Sequence, residues 1–247
     1  MSRNIMITGA SSGIGSAVAM EFARRGYGLG LAARRLDALE TLRGNILQRH
    51  PDTRIAIRAL DVTEYDKVPG VLREIIDELD GLDIVFANAG IGLGGKIGKG
   101  EFAAARRTIE TNVIGAMATV EAAAEYFRER GRGHIVATSS VAAFRGLPGN
   151  GAYSASKAAL SVWMEALRAE LYRHPIDVTV LHPGYIDTPI NNMLSNRPFL
   201  ISLERGASLI ADLIERRAKN PTVPRWPWAW LARVLAVAPT RFISRMG

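Results

Sequence analysis

The 247-residue chain contains no cysteine. That excludes a disulfide framework, a thiolate metal site and a cysteine nucleophile, and it fits a reducing, cytoplasmic setting. Histidine is scarce: His50, His134, His174 and His182 lie scattered without metal-ligand spacing, so they read as structural or surface residues and no metal is expected. No run reaches about 18 uninterrupted apolar residues, so no membrane-spanning helix is expected. The opening MSRNIMITGASSGIG runs straight into glycines without a long apolar core, and no secretory signal is expected there. Acid is missing from one end. Residues 1–215 balance 24 basic against 24 acidic side chains, whereas Arg216, Arg217, Lys219, Arg225, Arg233, Arg241 and Arg245 follow with no carboxylate among them. The formal charge of +7 therefore belongs to the tail, which argues against a general nucleic-acid binder and for something local.

What is present is alternation. NIMIT (4–8), GLGLAA (28–33), RIAIRAL (54–60), DIVFAN (83–88), HIVATS (134–139) and DVTVLH (177–182) are short, β-rich and nearly continuously apolar, as strands covered on both faces are. Helical patterns lie between them at about 13–26, 36–49, 64–80, 101–130 and 153–173. Strand–helix alternation without a linker or repeat predicts a single α/β domain over 1–247: a Rossmann-type doubly wound parallel sheet with helices on both faces. Such sheets bind ligands beyond the carboxyl ends of their strands. Gly9, Asn88-Ala89-Gly90, Ser139-Ser140 and His182-Pro183-Gly184 all fall at those ends.

TGASSGIG (8–15) joins the first strand to the first helix. Gly9, Gly13 and Gly15 permit a tight turn and close approach of backbone, and the helix N-terminus offers N–H groups to a pyrophosphate. Ser11, Ser12 and Ile14 complete that loop. NAD sites of this architecture carry an acid about 20 residues on, which holds the ribose 2′-OH. Here Ala33 occupies the place and Arg34 and Arg35 follow. A small neutral residue with guanidinium groups suits a 2′-phosphate, so NADP(H) is expected ahead of NAD(H). Downstream, Tyr153 and Lys157 are spaced to share a helix face.

These residues, taken in order, resemble the short-chain dehydrogenase/reductase family over about 3–190. The motifs are Thr8–Gly15, Asp61, Asn88-Ala89-Gly90, Asn112, Ser140, Tyr153-x-x-x-Lys157 and Pro183-Gly184…Thr188. The resemblance implies hydride transfer between a nicotinamide and a carbonyl or secondary alcohol, with Tyr153 as acid/base. It places Lys157 on the nicotinamide ribose and Tyr153 beside the cofactor. Ser140 would bind the substrate oxygen, and Asn112 would support a water relay to the lysine. Family spacing selects Ser140 over Ser139. Asp61 and Val62 would approach the adenine, Asn88, Ala89 and Gly90 would line the cofactor path, and Ile186 and Thr188, after Pro183 and Gly184, would sit by the carboxamide. A free phenol has a pKa of about 10, and a neighbouring ammonium is expected to lower it.

The departures bear on substrate and assembly. Ser12 stands where many NADP-dependent relatives carry Lys or Arg, and the family's frequent C-terminal strand with its DGG-like ending is absent. The helices near 101–130 and 153–173, which form a dimer interface in relatives, remain, so a homodimer or higher homo-oligomer is expected. Residues 186–203 occupy the place of a mobile substrate lid in relatives, with Met193, Leu194, Phe199 and Leu200 as its apolar side chains. That suggests a hydrophobic small-molecule carbonyl or alcohol substrate. The tail, 220–247, mixes Trp226, Trp228 and Trp230 with arginines. Pro227 and Pro239 bound a helix of roughly ten residues, too short to span a bilayer. Peripheral membrane contact, packing on a partner subunit and roofing of the substrate pocket all fit it. A nucleotide-binding sensor or scaffold without turnover is the competing functional class, and a pure binder has no need of the full Asn112, Ser140, Tyr153, Lys157 set.

Overall fold

The computed structural model describes residues 3–191 and 196–246. Seven parallel strands form the sheet: β1 (Asn4–Thr8), β2 (Gly28–Ala33), β3 (Ile55–Ala59), β4 (Ile84–Ala87), β5 (Gly133–Thr138), β6 (Ile176–Pro183) and β7 (Thr222–Val223). Their order is β3-β2-β1-β4-β5-β6-β7, so the winding reverses between β1 and β4. That reversal opens a crevice at the strand carboxyl ends, where both flanking loops turn away. The chain is a single α/β domain of the expected class.

The strands read as apolar on every residue because each face has its own core. Ile5, Ile7, Leu29, Leu31, Ile84, Phe86 and Val136 pack under α1 (Gly13–Arg24), α2 (Leu36–Arg49) and α7 (Leu203–Glu215). Met6, Ala32, Val85, Ala87, Ile135 and Ala137 point the other way, under α3 (Val68–Leu79), α5 (Ala116–Arg130) and α6 (Gly151–Glu170). The period of two along each strand is intact, and both phases of it are apolar.

Three features depart from the sequence reading. The run expected as one helix over 101–130 is α4 (Phe102–Ile109) and α5 joined by a π turn, Glu110–Gly115. A β7 is present after all, only two residues long, and pairs parallel to β6 at His182–Thr222 and Pro183–Val223. The helix α7 was not anticipated, although its apolar face (Ala207, Ile210, Ala211, Ile214) is clear in hindsight. The tail forms α8 (Trp228–Val237) between Pro227 and Pro239, as its prolines predict, and then the short α9 (Thr240–Ile243). Among the described residues no helix is long and apolar enough to cross a membrane.

Candidate active site

The loop after β1 is stitched to the loops after β4 and β5. Thr8 Oγ1 accepts from the backbone N–H groups of Asn88 and Ala89 at 3.1 and 3.2 Å. The Asn88 amide donates to Thr8 O at 3.1 Å, and its Oδ1 accepts from the Thr138 hydroxyl at 3.1 Å. Three strand ends are thereby fixed relative to one another. Gly9 has φ +66°, and a Cβ there would lie 2.7 Å from the Ala89 Cα, so both conformation and space demand glycine. Gly15 is boxed in by the Gly9 carbonyl and by Asn88, where a Cβ would meet Nδ2 at 2.8 Å.

Ser12 occupies the N-cap of α1 in an extended conformation, yet among the described residues its hydroxyl makes no capping hydrogen bond. That hydroxyl, the first N–H groups of α1 and two arginines make an anion-accepting donor set. Arg35 Nη2 donates to Ser11 Oγ at 3.3 Å, and Arg34 Nη1 stands 3.9 Å from Asp61 Oδ2, with the Arg34 side chain largely exposed. No carboxylate replaces Ala33 at the end of β2. These residues fit the phosphates of a dinucleotide.

Deeper in, Lys157 is buried on α6 and donates from Nζ to Thr138 O at 2.7 Å. Its ammonium lies 5.7 Å from the centroid of the Tyr153 ring, one helical turn before it. Burial lowers the Lys157 pKa to about 8. The Tyr153 phenol is raised above its usual value: burial dominates, the Ser140 hydroxyl opposes it, and Tyr185 adds to it. The expected lowering therefore does not prevail: desolvation of the phenolate is the largest cause, and what opposes it is the Ser140 hydroxyl. Ser140 Oγ accepts from Ala142 N at 3.1 Å and donates to Pro183 O at 3.4 Å, which fixes it at the pocket wall. Ser139 turns away instead, donating to Lys157 O at 2.9 Å and meeting Ser161 Oγ at 2.7 Å. That is a support for α6: both serines line the cavity, and the Ser139 hydroxyl is taken up by these contacts.

Asn112 lies in the π turn, fully buried. Its Oδ1 accepts from Ile91 N at 2.8 Å, and its Nδ2 donates to Ile91 O at 2.9 Å and Ser156 Oγ at 3.0 Å. Its side chain thus ties the loop after β4 to α6. Gly90 sits between it and the lysine: a Cβ there would lie 3.2 Å from Asn112 Oδ1 and 3.4 Å from Lys157 Nζ.

One cavity of about 750 Å³ gathers nearly all the expected residues. Gly9, Ser11, Ser12, Gly13, Ile14, Arg34, Arg35, Asp61, Val62, Asn88, Ala89, Gly90, Ser140, Tyr153, Lys157, Pro183, Gly184, Ile186 and Thr188 line it; Gly15 and Asn112 stand behind its wall. Sequence reasoning missed Tyr185 and did not settle the tail. Trp228, Trp230, Leu231, Val234, Leu235 and Phe242 line the same cavity, so the tail roofs it. Trp228 is the keystone, buried edge-on against Tyr185 (5.7 Å) and Phe199 (6.0 Å), directly over Gly184. The segment expected as a lid is tied at its base, Asp187 N to Ile201 O at 3.0 Å and Ile201 N to Tyr185 O at 3.1 Å. Phe199 reaches the cavity, whereas Met193 and Leu194 lie outside the described residues. Among the described residues no group of three or more His, Asp or Glu side chains is placed to hold a metal.

A family model described as short chain dehydrogenase matches residues 3–198. The chain belongs to the short-chain dehydrogenase/reductase family. An uncharacterized oxidoreductase of Mycobacterium tuberculosis is 43% identical over 244 residues, 98% of this chain and 96% of that one. The alcohol dehydrogenase of the archaeon Thermococcus sibiricus, solved with 5-hydroxy-NADP, is 25% identical with a TM-score of 0.81, covering 90% of this chain and 96% of its own. A short chain dehydrogenase of Mycobacterium paratuberculosis, bound to NAD, is 26% identical with a TM-score of 0.80 over the same shares. This short-chain dehydrogenase/reductase is accordingly an oxidoreductase with a nucleotide-binding Rossmann fold, of a type that uses nicotinamide cofactors.

Proposed function

We propose that the protein is an NADP(H)-dependent oxidoreductase that interconverts a hydrophobic carbonyl compound and its secondary alcohol. The observation that carries this is the convergence of Tyr153, Ser140 and Lys157 on the cavity into which the phosphate loop and Arg34 and Arg35 also open. A bound nicotinamide would supply or accept the hydride. Ser11, Ser12, Arg34 and Arg35 would hold its phosphate end, and Lys157 would hold its ribose.

The chain's own residues handle the proton. With its pKa raised by burial, the Tyr153 phenol is neutral near pH 7 and is a proton donor to a carbonyl oxygen. The Ser140 hydroxyl hydrogen-bonds the same oxygen. The Lys157 ammonium stabilises the phenolate that remains, and the roofed cavity keeps water from competing. Asn112 holds the loop after β4 against α6, and so fixes Gly90 beside the lysine.

The first test follows NADPH absorbance with a panel of apolar aldehydes and ketones, and NADH beside it. Replacing both Arg34 and Arg35 by alanine is expected to raise KM for NADPH roughly tenfold, as loss of charge-assisted hydrogen bonds at an exposed site should, with NADH barely affected. Equal losses with both cofactors would remove the case for NADP. The value of kcat/KM for NADPH reports the free enzyme's titrations. It is expected to fall as pH rises through about 8, because the Lys157 cation is present below that pKa and lost above it. A profile flat well past this range would exclude a role for the charge. As a homo-oligomer, the protein would use α5 and α6, where Val162 is an exposed apolar residue; sedimentation velocity on Val162→Glu tests that contact.

A further inference from the structure

The roof of the cavity is also its rim. Phe199, Trp230, Val234 and Phe242 each line the cavity and yet stand 56, 56, 38 and 56% exposed. Val237, 82% exposed, continues the row, since 230, 234 and 237 fall on one face of α8. The opposite face is buried through Trp228 and Ala232, and Arg145 Nη2 pins the helix end by donating to Ala238 O at 3.0 Å. A folded helix therefore presents aromatic and aliphatic side chains outward around the mouth of an apolar chamber. Scattered surface apolar residues need no explanation, but a contiguous group around a cavity mouth does.

Charge selects what meets it. Arg233 follows Trp230 by three residues and so lies beside it on α8, Arg241 precedes Phe242, and Arg225 and Arg245 flank the segment; all four are exposed. No carboxylate occurs from 216 to 247, and the one acid among the described residues that line the cavity, Asp61, is at the end occupied by Arg34 and Arg35. A second copy of the chain is a poor occupant, since a two-fold contact would set these arginines against themselves with no acid to answer them. An outward apolar face flanked by basic residues matches an anionic lipid surface, into which such a helix lies flat. The helix is ten residues long, enough to lie in such an interface and too short to cross it.

We propose that the α8–α9 rim docks on an anionic bilayer, so that the cavity mouth opens toward lipid and a membrane-dissolved carbonyl or alcohol enters without crossing water. The docking stands on the rim alone; the delivery of substrate rests on the oxidoreductase reading above. Co-sedimentation of the full chain with phosphatidylcholine vesicles, with and without phosphatidylglycerol, separates the two because it needs neither cofactor nor turnover. Binding is expected with phosphatidylglycerol and is expected to weaken with salt. The triple variant Arg233→Glu, Val237→Glu, Arg241→Glu alters no cavity-lining residue. It should lose vesicle partitioning by about 30-fold or more, at roughly tenfold or less per charge removed, while turnover of a water-soluble carbonyl stays at the parent rate. No binding to either vesicle, or equal binding to both, overturns the proposal. So does a triple variant that dissociates an oligomer while vesicle binding is unchanged, which would assign the rim to a second copy.

Discussion

Tyr153→Phe is expected to lower kcat for carbonyl reduction by about 10³-fold, within the range that a positioned acid contributes. NADPH binding, followed by fluorescence or calorimetry, should change far less, because on the proposed reading the phosphate end of the cofactor would be held by the loop after β1 and by Arg34 and Arg35. The substitution removes one oxygen from a ring packed at the cavity wall, so the thermal midpoint should hold. That separation matters. A structural tyrosine would move stability and turnover together, whereas an acid moves turnover alone. Ser140→Ala, which leaves the phenol in place but removes its hydroxyl neighbour, should cost less than the tyrosine variant. Turnover of Tyr153→Phe within a few-fold of the parent would sink the assignment and favour a nucleotide-binding sensor.

The second large effect concerns the roof. Trp228 is 5% exposed and fills the space between Tyr185, Phe199 and Gly184, and its indole N–H has no hydrogen-bond partner among the described residues. Trp228→Ala removes a buried aromatic and should destabilise by about 3–5 kcal/mol. For a chain of this size that is a drop of roughly 10 °C in Tm. Trp228→Phe keeps much of the packing and sheds the unpartnered N–H, so it should lose far less. Differential scanning calorimetry of the pair distinguishes a roof integral to the domain from an appendage. If Trp228→Ala melts with the parent, the tail is not part of the cooperative unit. If it melts early, KM for large apolar substrates should rise more than KM for NADPH, since the roof covers the substrate end.

Most of the sheet was legible in the sequence because burial on both faces leaves uninterrupted apolar runs, and these are hard to mistake when glycine-rich turns bound them. The glycine-rich loop after β1 and the Tyr153–Lys157 pair, which line one cavity, stood out for another reason: the chemistry proposed for them constrains residue type and spacing at once. The rest was hidden by physics that spacing does not carry. Asn112 reads as one polar residue in a helix, and nothing local says that its amide reaches across to Ile91 and Ser156. The strand β7 is two residues long, below what any period can reveal. Trp228, Leu231 and Leu235 are apolar residues in a short helix, and only the tertiary fold decides whether they cover a pocket, a lipid or another subunit. The phenol's pKa could not be foreseen either, because the desolvation that raises it depends on how deeply α6 is packed.

The π turn at Glu110–Gly115 holds one residue more than an α-helical turn would over the same rise. Deleting any one of those codons would remove the extra residue and let the segment relax into a continuous α-helix, with α4 and α5 kept in register but the side chains of the turn itself re-aimed. Thr108, whose hydroxyl donates to Leu93 O at 2.7 Å, would keep its place on α4, but Asn112, within the turn, could no longer face Ile91. Substitutions along the outer side of this helix are therefore cheap, whereas a change of length is not. A library of in-frame deletions should show a sharp gap here, where Asn112, Val113 and Gly115 are buried.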